Sequence, residues 1–171
     1  FSISNGSGAA SNYTLSGGSF TLSVTTRPLT LSGSRLYNGN TTVSNSDLNT
    51  FSNIVSGETL GLSGSGSVSS ANTGNSKTVT LGTLALQNGS GSASNYSISS
   101  ASLSVNPVAV SLSGSRTYDG SSLASASDLT ISGLIGSETL VLSGAGTITS
   151  SAVANNSDVS QGSLSLGDGS N

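Results

Sequence analysis

The sequence repeats itself with a period of about 80 residues. The stretch SGSRLYNG at residues 32–39 returns as SGSRTYDG at residues 113–120, 81 positions later. Further along, LGLSGSGSV at residues 60–68 returns as LVLSGAGTI at residues 140–148, and a third, partial copy opens the chain. A period of this length is too long for one rung of a β-helix and fits one compact β domain per repeat.

Apolar residues alternate with hydroxyl residues in the repeated segments. Residues 20–25, FTLSVT, place Phe20, Leu22 and Val24 on one side, which is the two-residue period of a half-buried strand. Similar alternation recurs in both repeats, and no stretch has the three- and four-residue spacing of a helix. The pattern predicts an all-β chain of tandem immunoglobulin-like β-sandwich domains. A β-grasp-like domain and a right-handed β-helix are the alternative architectures.

The alternation changes phase at one point of each repeat. Val79 lies at an odd position and Leu84 at an even one, and Val159 and Leu164 repeat this change. An inserted residue would return the later side chains to the same apolar face, so we expect a β-bulge or bend between them. The expected positions are Gly82-Thr83 and Gly162-Ser163.

Composition argues against several classes of protein. Charged residues make up only 6% of the chain, and four Lys and Arg against seven Asp and Glu give a net charge of −3. This balance does not favour a nucleic-acid surface, which is built largely from clustered Lys and Arg. Neither histidine nor cysteine is present, which excludes a Ser-His-Asp triad, a disulfide and a zinc-thiolate site. The apolar runs are far too short to span a bilayer, so we expect neither an enzyme nor membrane insertion.

The carboxylates are scattered along the chain, without the Asp-x-Asp-x-Asp-Gly spacing of a calcium loop. We therefore expect no catalytic, cofactor-binding or metal-binding residues and no cofactor. A calcium site assembled from neighbouring loops is the alternative.

Each complete copy carries a tyrosine followed by a turn dipeptide. Asn38-Gly39 and Asp119-Gly120 are expected to form tight turns, because Asx tolerates and glycine favours a positive φ. Tyr37 and Tyr118 precede these turns, and Tyr118 shares strand parity with the apolar residues before it. We expect each ring to close one end of a core, with its hydroxyl bonded to the backbone.

Three charged positions recur in both copies of a chain that is otherwise poor in charge. Their recurrence predicts an ion pair within each domain, which would orient two strands and, if exposed, add only about 0–1 kcal/mol. A carbohydrate-binding patch is the alternative interpretation. The expected pairs are Arg35 with Asp47 or Glu58, and Arg116 with Asp128 or Glu138.

Several motifs together resemble a known family. Tyr-Asp-Gly at residues 118–120, SGLIGSETLVLSG at residues 132–144 and Asn-Tyr-Thr-Leu at residues 12–15 are similar to the YDG/MBG-type tandem repeats of large secreted bacterial adhesins of the filamentous-haemagglutinin type. The resemblance implies an extracellular or cell-surface stalk or filament segment. Asn38 departs from the motif, because it replaces the aspartate. A glycan- or protein-binding adhesive domain is the alternative function, and the low aromatic content, 4%, favours the structural one.

The repeat also predicts domain boundaries near the two prolines. In this frame residues 1–28 are the C-terminal strands of a preceding repeat, residues 29–107 a complete repeat, and residues 108–171 a repeat lacking its last strands. The alternative frame divides the chain into 1–83 and 84–171. Unpaired strand edges in the first frame predict that the first segment of one chain completes the last segment of the next. The expected partners are thus neighbouring repeats of the same chain or like chains, with a surface glycan as the alternative.

Overall fold

The computed structural model describes residues 2, 4, 6–153 and 157–169. Phe1 and Asn171, the outer ends of the predicted segments 1–28 and 108–171, lie outside the described residues. The described chain is all-β, as predicted. It contains fifteen strands, and its helical elements are four 3-10 turns of three residues each.

In the described part of the chain, the first eight strands pair only with one another, and we call residues 27–106 the first unit. The strands are β1 (Arg27–Leu36), β2 (Thr42–Ser44), β3 (Thr50–Ser52), β4 (Leu60–Ser63), β5 (Ser65–Ser67), β6 (Gly74–Thr78), β7 (Ala85–Asn88) and β8 (Tyr96–Asn106). A four-stranded sheet has the order β3-β1-β8-β6. Its two central strands, the first and the last of the unit, run parallel, whereas the outer strands are antiparallel to them. Two short ladders, β2 with β5 and β4 with β7, complete the unit.

The core of the first unit is built on one face of the β1–β8 pair. Leu31 of β1 and Leu103 and Val105 of β8 are buried at alternating positions, as expected for strands with one face turned inward. Burying an apolar side chain of this size stabilises the fold by about 1.5–3 kcal/mol. The remaining buried members of the cluster are Val43, Leu48, Val68, Val79, Leu84 and Ala101.

The later strands also pair only with one another among the described residues, and we call residues 111–168 the second unit. They are β9 (Ser111–Gly114), β10 (Leu123–Ser125), β11 (Leu129–Ser132), β12 (Leu140–Ser143), β13 (Ala145–Ile148), β14 (Val159–Ser160) and β15 (Ser165–Asp168). Three ladders of the first unit recur here: β9 with β11, β10 with β13 and β12 with β15. No described strand takes the place that β8 has beside β1. The core is accordingly open, and only Ala124 and Leu164 are buried apolar side chains among the described residues of this unit.

A tight turn in each unit lies where the alternation of apolar and polar residues was predicted to shift by one position. Gly82 and Gly162 have positive φ values of 55° and 53°. The turn interrupts the ladder, and as a result Val79 and Leu84 both reach the core of the first unit. The predicted bend is therefore confirmed, in the form of a turn rather than a β-bulge.

The half-buried strand predicted at residues 20–25 is not formed. Leu22 and Val24 are 89% and 88% exposed, and Phe20 is also exposed. The prediction is wrong because alternation supplies only one face of a strand, whereas a strand also needs a neighbouring backbone for its N–H and C=O groups. None of the described strands pairs with this segment.

Candidate functional site

The glycine of the repeated SGSR motif allows two backbone segments to meet. A Cβ on Gly33 would lie 1.8 Å from the carbonyl oxygen of Asp47, and a Cβ on Gly114 would lie 1.8 Å from that of Asp128. Only glycine fits at such a contact. The glycine thus brings an aspartate against the strand that carries the arginine, a contact that the sequence spacing alone does not reveal.

Arg35 lies in a nearly buried cluster of polar groups. Its Nη1 is 3.2 Å from Oδ2 of Asp47, and the two side chains are 9% and 17% exposed. The guanidinium also donates to the carbonyl oxygens of Asn40 and Thr42. Of the two partners predicted for Arg35, the structure therefore provides Asp47, and the arginine fastens the Asn38-Gly39 turn to β1.

Both Asx-Gly pairs adopt turns with a positive φ at the glycine, 71° at Gly39 and 79° at Gly120. In each turn the Asx side chain accepts a hydrogen bond from the backbone N–H two residues further on. The distance is 3.1 Å for Asn38 and 2.9 Å for Asp119. These are Asx turns, which explains why either residue serves at this position.

The prediction for Arg116 is wrong. Its Nη1 lies 2.9 Å from Oδ2 of Asp119 rather than beside Asp128 or Glu138. The first copy has Asn38 where the second has an aspartate, so only the second copy offers its arginine a carboxylate three residues away. Asp128 instead accepts a backbone N–H at the start of its own 3-10 turn, at 3.0 Å.

The two repeated glutamates accept hydrogen bonds from tyrosines. In the first unit the buried Tyr96 donates its hydroxyl to Glu58 and accepts from the backbone N–H of Val55 at 3.2 Å. In the second unit Glu138 accepts from the hydroxyl of Tyr37, which belongs to the first unit. The predicted alternative pairs of Glu58 and Glu138 with arginine are therefore wrong. The recurrence of Asn-Tyr at residues 12–13 and 95–96 could have indicated that Tyr96 has a structural role. No feature of the sequence indicated the contact between Tyr37 and Glu138.

Tyr37 and Tyr118 differ in spite of their matching positions. Tyr37 packs partly buried against the core, and its N–H donates to the carbonyl of Asn106, at the end of β8, at 2.8 Å. Tyr118 is 64% exposed, because the second unit has no described counterpart of β8 to anchor it. The expectation that both rings close a core is wrong for Tyr118. The prediction that the tyrosine hydroxyl bonds to the backbone is wrong for Tyr37, whose hydroxyl donates a hydrogen bond to the Glu138 carboxylate.

A cavity of about 580 Å³ lies at the junction of the two units. Tyr37 and Pro107 line it from the first unit and the link, and Val110, Ile135 and Glu138 line it from the second. Polar and apolar groups share its wall about equally, and it carries two carboxylates: Asp168, and Glu138, which already accepts from the Tyr37 hydroxyl.

Stability at high pH should depend on Tyr96. The hydrogen bond to Glu58, helped by burial, raises the pKa of the Tyr96 hydroxyl above its usual value of 10.0, although the N–H of Val55 opposes the shift. A raised folded-state pKa means that the stabilisation is complete below pH 10 and is lost as the pH rises through the folded pKa. We therefore expect wild-type stability to fall more steeply than that of Tyr96→Phe as the pH rises above about 10, measured by urea unfolding. Equal slopes would exclude the role assigned to this hydroxyl.

Among the described residues, no group of three or more His, Cys, Asp or Glu side chains is placed to hold a metal ion. In the same part of the chain, no helix has the length and apolar character needed to cross a membrane.

Comparison with known proteins gives one informative result. No curated protein and no solved structure matches the chain. The YDG domain family does match, over residues 21–105. This range contains β1–β7 and nearly all of β8, together with the Arg35 cluster and the Tyr96–Glu58 pair. Residues 21–105 of this chain are therefore a YDG domain.

Proposed function

We propose that the chain is a structural repeat module, a stalk or filament segment of a bacterial cell-surface adhesin or extracellular fibre. The observation that carries the proposal is the direct contact between two like units, in which Tyr37 of the first donates to Glu138 of the second. A hydrogen bond to a charged group is stronger than one between neutral groups. The contact therefore restrains the angle between successive units, as a spacer requires.

The link between the units supports the same proposal. β8 ends at Asn106 and β9 begins at Ser111, with Pro107 directly after β8. A short link that begins with proline is stiffer than one rich in glycine and serine, because the ring fixes φ. Spacing between units is then set by the fold rather than by a flexible tether.

The recurring polar side chains are used within the protein. Arg35 and Asp47 fasten a turn to a strand, and Glu58 holds Tyr96 in the core. Each contact orders the backbone of a repeat unit. This use of the conspicuous charged residues favours a structural module over the alternative of an adhesive domain with a charged binding patch.

Removing the Tyr37 hydroxyl should loosen the junction without disturbing the units. We expect the two units of the wild-type chain to tumble as one body, with a common rotational correlation time in ¹⁵N relaxation measurements. In Tyr37→Phe the ring remains packed but the bond to Glu138 is lost, so the two correlation times should separate. Tyr118→Phe is the matched control, because it removes the hydroxyl of an exposed tyrosine, and it should behave as the wild type.

Two results would count against the proposal. Independent tumbling of the units in the wild-type chain would exclude a stiff spacer. Reproducible micromolar binding of the same protein on a glycan array would favour the adhesive alternative. We expect joint tumbling and no glycan binding.

A further inference from the structure

The turn that follows β1 differs chemically from its counterpart in the second unit. The first unit has Tyr37-Asn38-Gly39 where the second has Tyr118-Asp119-Gly120. An asparagine followed by glycine readily loses its side-chain amide as ammonia, because glycine has no Cβ to shield its backbone nitrogen. Asn38 and Gly39 are both exposed. Water and hydroxide can therefore reach the atoms that would react.

The nucleophile of this reaction is free at Asn38. The reaction begins when the backbone nitrogen of the following glycine attacks the carbonyl carbon of the asparagine side chain. The N–H of Gly39 donates a hydrogen bond to none of the described residues. Its deprotonation and its attack on Cγ of Asn38 therefore break no hydrogen bond in the described part of the protein.

The carbonyl group that is attacked already has a hydrogen-bond donor. Oδ1 of Asn38 accepts from the backbone N–H of Asn40 at 3.1 Å, and this oxygen becomes negative when the carbonyl carbon is attacked. Arg35 adds a positive charge to the same turn, because its guanidinium donates to the carbonyl oxygen of Asn40. A donor and a cation that are in place before negative charge develops lower the barrier of such a step.

Asn88 provides an internal comparison within the same unit. It is also exposed and followed by a glycine, and its Oδ1 accepts from the N–H of Ala93 at 2.8 Å. The N–H of Gly89, however, donates to the carbonyl oxygen of Gly91 at 3.1 Å. Asn88 is also the last residue of β7 and pairs with Leu60 of β4. At this pair the nucleophile is therefore occupied and the backbone is held in a ladder.

We propose that Asn38 is a site of spontaneous deamidation, which converts the Tyr-Asn-Gly turn of the first unit into Tyr-Asp-Gly. The backbone nitrogen of Gly39 forms a bond to Cγ of Asn38, the bond from Cγ to Nδ2 breaks, and Nδ2 leaves as ammonia with the proton lost by Gly39. Water then opens the cyclic imide at either carbonyl, which gives aspartate or isoaspartate. One water is consumed and one ammonia is released, and the reaction needs no oxidant or cofactor.

The new carboxylate lies within reach of Arg35. In the second unit Asp119 is 2.9 Å from Nη1 of Arg116, which precedes it by the same three residues. Arg35 makes three described hydrogen bonds, whereas a guanidinium has five N–H groups, and its buried Nε has no partner among the described residues. The guanidinium therefore keeps donors for a second carboxylate. The reaction takes place within one unit, whether or not the chain serves as a spacer.

Peptide mapping of the full chain measures the reaction at each pair separately. Trypsin places Asn38 in peptide 36–77 and Asn88 in peptide 78–116. The third Asn-Gly pair begins at Asn5, which lies outside the described residues and falls in neither peptide. After incubation of the folded chain at mildly alkaline pH, mass spectrometry follows the conversion of amide to acid, and fragment spectra locate it. We expect Asn38 to convert at least about tenfold faster than Asn88, which corresponds to about 1.4 kcal/mol of activation free energy.

Unfolding supplies the matched control, because both asparagines are followed by glycine. In concentrated urea the hydrogen bonds of both turns are lost, so the two sites should convert at similar rates. Asn38→Gln should abolish conversion at position 38 in the folded chain and leave Asn88 unchanged, since the longer side chain cannot form the same ring. Equal rates at the two sites of the folded chain, or a preference for Asn38 that persists unchanged in urea, would overturn the proposal.

Asn38→Asp carries the aspartate product from the start and tests its contact with Arg35. The ¹⁵N–¹H signal of the Arg35 Nε group should shift between the wild type and this variant, because a carboxylate beside the guanidinium changes its hydrogen bonding. The corresponding signal of Arg116 is the control and should stay in place, since its own aspartate is unchanged. The aged wild-type chain should develop the shifted Arg35 signal as the aspartate form accumulates. An Arg35 signal that is identical in both proteins would overturn the contact assigned to the product.

Discussion

Leu31→Ala should be the most destabilising of the substitutions considered for the first unit. Leu31 lies on the central strand β1 and is 0% exposed, so truncation leaves a cavity between β3 and β8 that the rigid sheet cannot fill. Leucine-to-alanine changes at such sites cost about 2–5 kcal/mol of unfolding free energy. Urea unfolding followed by circular dichroism, or calorimetry, measures the loss directly.

Leu112→Ala is the matched control, because Leu112 holds the same repeat position on β9 but is 39% exposed. We expect Leu112→Ala to lower the free energy of unfolding by less than about 1 kcal/mol, since little apolar surface is buried at this position. Similar losses from both substitutions would show that the second unit is packed as tightly as the first.

Arg35→Met should also destabilise the first unit strongly. The substitution keeps much of the side-chain volume but leaves Asp47 nearly buried without its cation and removes the donor to two backbone carbonyls. Breaking a buried ion pair by removing one partner costs about 3–5 kcal/mol, and the residual exposure here places the expectation near the lower value. Thermal unfolding and urea titration at neutral pH measure the effect.

Arg116→Met tests whether burial is the cause. Its pair with Asp119 is more exposed, with side-chain accessibilities of 22% and 54%, and exposed pairs contribute only about 0–1 kcal/mol. We expect a clear difference between the two arginine variants. If they lose equal stability, the partial burial of the Arg35 cluster does not explain its contribution.

The sequence was sufficient for features that depend on local chemistry. Alternation of apolar and hydroxyl residues identified an all-β chain. The change of parity between Val79 and Leu84 located the bend at Gly82, because side-chain direction in a strand follows the residue count. The Asx-Gly pairs located the turns, because few other dipeptides tolerate the required positive φ.

Features that depend on distant partners were not predictable in this way. The expected strand at residues 20–25 has the right pattern but lacks a neighbouring backbone, and pairing is a property of two segments. Arg116 pairs with Asp119 rather than with the predicted carboxylates, because bringing a residue three positions away into contact loses less conformational entropy than closing a longer loop. The bond between Tyr37 and Glu138 spans 101 positions and two units, so no repeat period within one unit indicates it.

The parallel pairing of β1 with β8 has a mechanical consequence. The chain enters the first unit at Arg27, at the start of β1, and leaves it at Asn106, at the end of β8. Because β1 and β8 are parallel, these two attachment points lie at opposite ends of their ladder of hydrogen bonds. Tension applied through the chain therefore pulls the two strands past each other along their length. The load is shared by the hydrogen bonds of the whole ladder, which must yield together instead of opening one by one from an end. A unit connected in this way resists stretching even where its stability at rest is modest.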